Sequence, residues 1–235
     1  MTTPAHPSAE QVLASIEQAG GEIQDSRTLS PVQMLPLNEQ ASRILQSSSD
    51  AQDKDDLQAE EAAHKAAAAW QIGLQGILLS LQSKEMINFR SIDAQPLFLT
   101  LDGRQTIRLG SPEYRLWSAL PETGEGRSQP DLESMLGKDT FKLAQSRAFR
   151  NKIVRRLPDG TFARAESTLD QQLGDETRSE LVELAKTGKL QGEGADKKIA
   201  ELKKRKMVGQ RKLLYFSMAK GPQFALTVQK LETDL

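Results

Sequence analysis

Apolar positions change their spacing several times along the chain, and each change marks an element. Residues Ala9–Gln18 carry a short helical pattern closed by Gly20-Gly21. Residues 24–60 then turn polar, with Ser47-Ser48-Ser49-Asp50 and Asp53-Lys54-Asp55-Asp56, and Pro31 and Pro36 break the one semi-apolar piece at 32–45. A stretch so poor in apolar groups does not offset its ordering entropy, so a flexible insertion is expected, with at most one short helix at 38–46. From about Leu57 the pattern is regular. Trp70, Leu74, Ile77, Leu78 and Leu81 recur at helical spacing in an Ala-rich run, which predicts a strong helix. Two strand-like segments follow, 87–92 and 96–101, around Asp93-Ala94-Gln95. A helix running into a hairpin is the second half of a winged helix-turn-helix unit.

The same order recurs twice. Residues 113–120 predict a helix with Tyr114, Trp117 and Leu120 as its apolar set. Residues 130–136 predict a second, and 139–157 a longer third, stopped by Pro158-Asp159-Gly160 ahead of a strand at 161–165. The last round comprises 175–186, 195–207 and strands at 211–219 and 224–228. In its first strand Leu214, Phe216 and Met218 alternate with Leu213, Tyr215 and Ser217. The fold class read from this is α+β and helix-rich: three small winged-helix modules in tandem with a flexible polar insertion. Their expected bounds are 1–110 (insertion 24–60), 111–170 and 171–235. No sequence repeat links the three. A hydrophobic fraction of 37% and an aromatic fraction of 5% suit several small, mostly aliphatic cores.

Composition removes most enzyme classes. The chain has no cysteine, which excludes disulfides, thiolate zinc sites and cysteine nucleophiles. Its two histidines, His6 and His64, are too few for a multi-histidine metal centre. His64 falls on the Ala-rich helix with no serine or paired acid placed to use it and reads as an inert surface histidine. Asp102-Gly103 and Asp159-Gly160 read as turns. Gly73, Gly76, Gly192 and Gly194 do not make a phosphate loop. Nucleophile-elbow, zinc-protease and kinase motifs are absent. No catalytic, cofactor-binding or metal-ligating residue is expected. The apolar run around 70–81 is too short to span a membrane, and the first ten residues lack the pattern of a secretory signal. The expectation is a soluble, cytoplasmic protein.

Charge adds a positive clue. The formal net charge is -1, yet residues 1–100 carry 6 Lys/Arg against 13 Asp/Glu, and residues 101–235 carry 25 against 19. Residues 138–164 hold 8 basic and 2 acidic side chains, and residues 197–220 hold 9 basic side chains against Glu201 alone. Such asymmetry fits a polyanion partner, and equally a solvated basic surface. On a helical wheel for 139–157, Phe149, Ile153 and Leu157 fall together, while Arg147, Arg150, Asn151 and Arg155 fall opposite. On the third helix of a winged-helix module that face would present three guanidiniums and an amide to a nucleic acid. The run Lys203-Lys204-Arg205-Lys206 complements a helix C-terminus. Together with Arg211, Lys212 and Lys220 it exceeds what capping needs. The first module differs: its outward positions Gln71, Gln75, Leu79 and Gln82 carry no basic charge. It is expected to pack against protein, or to touch a ligand only at its wing through Arg90.

Four stretches, in order, carry a resemblance: LTLDG (99–103), SPEYRLWSALPETG (111–124), FKLAQSRAFRNKIVRRLPDG (141–160) and KKRKMVGQRKLLYFSMAKGPQFA (203–225). From roughly Leu57 onward the chain resembles the N-terminal region of the alpha subunit of cytosolic eukaryotic phenylalanyl-tRNA synthetase. That resemblance implies three DNA-binding-like winged-helix domains ahead of a class II catalytic module. It also implies binding of tRNA(Phe), a beta-subunit partner in an (αβ)2 heterotetramer, and ATP and Mg2+ as cofactors of the full enzyme, with none in this chain. The positions matching the family's basic stretches are Lys142, Asn151, Lys152, Lys203, Lys204, Arg205, Lys212 and Lys220, which the resemblance marks as candidate tRNA contacts. Ile153 stands where the family usually has tryptophan, and the class II motifs are absent, so the chain alone is expected to be inactive in aminoacylation. Two other readings are a winged-helix regulator that binds duplex DNA and a protein-interaction scaffold.

Overall fold

A computed structural model of the chain describes residues 5–168 and 174–228. In chain order its elements are α1 (Ala9–Gln18), β1 (Glu22–Ile23), α2 (Leu37–Gln46), α3 (Asp50–Ser83), β2 (Ile87–Ala94), β3 (Leu97–Leu99), α4 (Leu101–Leu109) and α5 (Pro112–Ser118). Then come α6 (Gln129–Leu136), α7 (Lys138–Arg150), β4 (Val154–Arg156), β5 (Phe162–Arg164), α8 (Glu176–Thr187), α9 (Ala195–Lys204), β6 (Val208–Gln210) and β7 (Leu213–Lys220). The fold is helix-rich α+β, as the spacing of apolar residues predicts. Among the described residues no helix is long and apolar enough to cross a membrane.

The described residues form two compact units that interleave in sequence. One draws on 5–35, 55–98 and 210–228, the other on 36–54 and 99–209.

In the first unit α1 is started by a capping box: the Ser8 hydroxyl accepts from the Gln11 amide, and the Gln11 side chain accepts from the Ser8 amide at 2.7 Å. Its apolar face, Val12, Leu13 and Ile16, packs with Trp70, Leu74, Leu78 and Leu81 of α3. A three-stranded antiparallel sheet in the order β1-β7-β2 closes this core. Phe216 on β7 meets Phe89 on β2 edge to face at 5.6 Å. The expected hairpin between 87–92 and 96–101 is therefore corrected. Both segments contain strands, but β2 pairs with β7, with Ile87 opposite Lys220 and Ala94 opposite Leu213. The strand expected at 224–228 is not one. A strand's face pattern states that it needs a neighbour, and does not state which one.

The polar stretch 24–60 is also corrected: it is ordered. Ser26 is buried, donates to the Gln71 side chain at 2.7 Å and accepts from the Phe216 amide at 2.9 Å. Helix α2 buries Ala41 and Ile44 and packs on α8 and α4, and Asp53 is fully buried against Arg108. Its few apolar groups are spaced to one helical face, which suffices once another helix supplies the rest of the core.

In the second unit residues 111–166 follow the order helix (α5), bridge (Arg127 with Phe162), helix (α6), helix (α7), hairpin (β4-β5), the order of a winged helix. Ser111 and Ser128 cap α5 and α6, each followed by a proline in the first turn. Leu116, Trp117, Leu132, Phe141, Ala144, Val154 and Phe162 form the core. The turn expected at Asp102-Gly103 is instead the first turn of α4, capped by Thr100. A Cβ at Gly103 would lie 2.1 Å from the Met207 carbonyl oxygen, so glycine is required by close backbone approach. Gly103→Ala is expected to destabilise the chain by about 1–3 kcal/mol in a urea titration, although alanine in a free helix gains about 1 kcal/mol over glycine. An unchanged midpoint would show that α4 does not pack on this carbonyl.

One local design recurs three times. Helices α3, α7 and α9 end on a left-handed residue, Glu85, Lys152 and Lys206, with φ of 55°, 55° and 59°. A buried Met86, Ile153 or Met207 follows, whose amide donates back to Leu81, Ala148 or Leu202. Next comes a β-branched residue, Ile87, Val154 or Val208, that opens strand β2, β4 or β6. The repeat is one of backbone conformation and residue class, which explains why no repeat is evident by sequence identity.

Candidate nucleic-acid interface

Helix α7 is the third helix of the winged-helix order, and its two faces are sharply different. Phe141, Ala144 and Ala148 are buried, while Lys142, Leu143 and Arg150 are exposed, Leu143 to 68%. The helix ends at Arg150, seven residues earlier than expected. The wheel that placed Arg155 beside Arg147 and Arg150 therefore does not hold. The positive-φ Lys152 and the β-branched pair Ile153-Val154 stop the helix. Arg155 lies on β4, opposite Ala163, and pairs with Glu166 at 2.8 Å. Asn151 and Lys152 are exposed in the turn between helix and wing.

Arg147 is no free contact either. It is held by Glu113 at 3.2 Å and by Glu201. Glu113, on α5, is buried and also takes both oxygens of its carboxylate to Arg205, at 2.8 and 3.1 Å, while accepting from Thr177 at 3.0 Å. Two predicted contacts, Arg147 and Arg205, are thus struts that tie α5, α7, α8 and α9 through one carboxylate. Arg147 holds the Glu201 carboxyl below its ordinary pKa. Burial pulls the Arg205 guanidinium below its own, against the opposing charge of Glu113. Sequence reasoning missed Glu113, because a glutamate in the first turn after Ser-Pro reads as a helix-dipole residue.

With these struts in place, α7, α4, α5 and α9 line a cleft of ≈ 1120 Å³. Lys142 and Arg150 enter it from α7, Lys204 from α9, Arg115 from α5, and Gln105 and Thr106 from α4. None of these four cations makes an ion pair among the described residues. Six cations line the cleft against three carboxylates, Asp102, Asp139 and Glu201.

Comparison with known proteins bears on this same region. Residues 111–166 match the family model described as PheRS DNA binding domain 3. Across a wider stretch the chain is 34% identical over 162 residues to the phenylalanine–tRNA ligase alpha subunit of Saccharomyces cerevisiae, covering 67% of this chain and 32% of that one. It is 32% identical over 161 residues to the Schizosaccharomyces pombe subunit and 28% identical over 161 residues to the human one; each match covers 68% of this chain and 30% of the relative. Over this stretch the chain is similar to phenylalanine–tRNA ligase alpha subunits. It spans about a third of the length of the curated relatives it matches.

The remaining candidates lie outside the module that matches PheRS DNA binding domain 3. Lys203 is half-buried and Lys204 exposed on α9. Lys212 and Lys220 are exposed in the first unit, where Lys220 pairs with Glu17 at 2.6 Å and sits 4.8 Å from the Phe224 ring. Arg90 is exposed on β2, opposite Ser217. On α3, Gln71 is buried rather than outward, Leu79 and Gln82 are exposed as expected, and Ile72 is a further large hydrophobic side chain left exposed. His64 is half-buried, its Nδ1 3.4 Å from the Met34 sulfur, and burial lowers its pKa. Its place beside Met34, rather than on a solvated face, follows from the ordering of the stretch that carries Met34.

Proposed function

We propose that this chain is the N-terminal, tRNA-binding region of a phenylalanine–tRNA ligase alpha subunit. It works in the cytoplasm with a beta subunit in an (αβ)2 heterotetramer that charges tRNA(Phe) with phenylalanine. The observation that carries the reading is the gathering of Lys142, Arg150 and Lys204, which make no ion pair among the described residues, in one cleft beside a module that matches PheRS DNA binding domain 3. Phosphate neutralisation by lysine and arginine supplies most nucleic-acid affinity, and pre-oriented binding lowers the entropic part of a reaction barrier. The threefold helix-to-strand turn supports a division into three winged-helix modules, with strands contributed across the sequence rather than in tandem.

ATP and Mg2+ serve the full, class II enzyme. Among the described residues no three His, Cys, Asp or Glu side chains gather to hold a metal ion, and no step through either cofactor is assigned to this chain. Alone it is expected to leave tRNA uncharged in an aminoacylation assay.

The test is a salt-varied titration of the chain with tRNA(Phe), a non-cognate tRNA and a DNA duplex. Binding that favours tRNA is expected, with log K falling against log salt at a slope of about -2 to -3 for three phosphate contacts. Failure to bind tRNA at low salt, or a preference for the duplex, would overturn the reading.

A further inference from the structure

The cleft limits which form of nucleic acid the chain accepts. In a winged-helix module that reads duplex DNA, the third helix enters the major groove with its outward face. The groove is about 12 Å wide and a helix with its side chains is about 10–12 Å across, so the entering helix must stand clear of neighbours. Here the outward face of α7 is not clear. Arg147, in the middle of that face, is bound to Glu201 of α9 and Glu113 of α5, and α4 and α9 form walls of the cleft that Lys142, Ser146 and Arg150 line.

We propose that the cleft bounded by α7, α4 and α9 binds a single-stranded RNA segment through its phosphodiester backbone. The inference rests on the nucleic-acid reading above and narrows it to one ligand form and one site. Lys142 and Arg150, eight residues apart on α7, are separated by about 12 Å along the helix, a reach of a few nucleotides on an extended strand. Lys204 faces the same space from α9. The lining carries six cations against three carboxylates; with the struts Arg147 and Arg205 and their partner Glu201 set aside, four cations face two carboxylates, Asp102 and Asp139. Leu143, 68% exposed, offers an apolar surface to a ribose or a base face. No aromatic side chain lines the cleft among the described residues, so binding follows charge and strand flexibility rather than base stacking.

The chain's lack of cysteine provides a direct probe, because Leu143→Cys creates a unique thiol at an exposed position. The full 235-residue chain is titrated at low salt with a fluorescent oligouridine decamer, with an RNA duplex of the same length and with tRNA(Phe). The decamer is expected to bind at least tenfold tighter than the duplex. The Lys142→Glu, Arg150→Glu, Lys204→Glu variant is expected to lose at least tenfold of that affinity. The decamer, and not the duplex, is expected to slow maleimide labelling of Leu143→Cys several-fold. Should tRNA bind while the decamer neither binds nor protects the thiol, the cleft inference falls and the tRNA-binding reading stands. Should neither RNA bind, the tRNA-binding reading itself falls and takes the cleft with it. Equal binding of decamer and duplex, with no protection, would place the contact on another surface.

Discussion

Phe162→Ala is expected to lower the stability of the chain by about 4 kcal/mol, the cost of deleting a fully buried phenylalanine from a packed core. Phe162 has no exposed surface. Its ring stands edge to face against Phe141 at 5.4 Å, lies 6.0 Å from Phe149, and receives the Arg156 guanidinium at 5.6 Å. Its backbone bridges to Arg127 while β5 pairs with β4, so one residue holds helix, wing and bridge together. A single domain is stable by only about 5–15 kcal/mol, so the loss removes much of the margin of the module. Phe162→Leu, which keeps most of the volume, is expected to cost about 1.5 kcal/mol. Urea titrations of the two variants check the pair. A loss under about 1 kcal/mol for the alanine variant would mean that the module is not built around this ring.

Glu113→Ala is the second large effect, at about 2–3 kcal/mol, because it leaves Arg147 and Arg205 without the carboxylate that both share. Their side chains are 20% and 18% exposed, so water screens part of the penalty and keeps it below that of a fully buried pair. The effect is a penalty for breaking the cluster and says little about its net worth. Replacing all three residues by apolar ones, Glu113→Leu, Arg147→Met and Arg205→Met, is expected to recover stability to within about 1 kcal/mol of the native chain. Recovery in a urea titration would identify Glu113 as a structural node; a triple variant as unstable as Glu113→Ala would show that the charges themselves hold the four helices.

These two residues show what was legible and what was not. Phe162 sits in a strand expected at 161–165, behind a Pro-Asp-Gly stop, and an aromatic residue there reads as core. Glu113 gives no such signal, because its partners lie 34 and 92 residues away and only the packed helices bring them near. The basic helix was legible as a helix, but its end was not. Continuing a 3.6-residue wheel through Asn151-Lys152 moved Arg155 from a wing strand onto a helix face. As a result, a cluster of three arginines was expected where the structure has Arg150, without an ion pair among the described residues, one strut, Arg147, and one wing residue paired with Glu166.

By itself the sequence determined local matters: most of the helical segments, the alternation of β7, and the basic character of the second half. These depend on neighbours within a few residues, where periodicity and capping act. It also carries the likeness to phenylalanine–tRNA ligase alpha subunits, through stretches such as KLLYFSMAKGPQFALT. Only the tertiary structure decided that β7 completes a sheet with β1 and β2, that α2 orders a polar stretch against α8, and which cations remain unpaired. Strand pairing is set by whole faces finding each other, and a long-range ion pair depends on two helices being packed first. The local chemistry of the chain leaves both choices open, and the fold makes them.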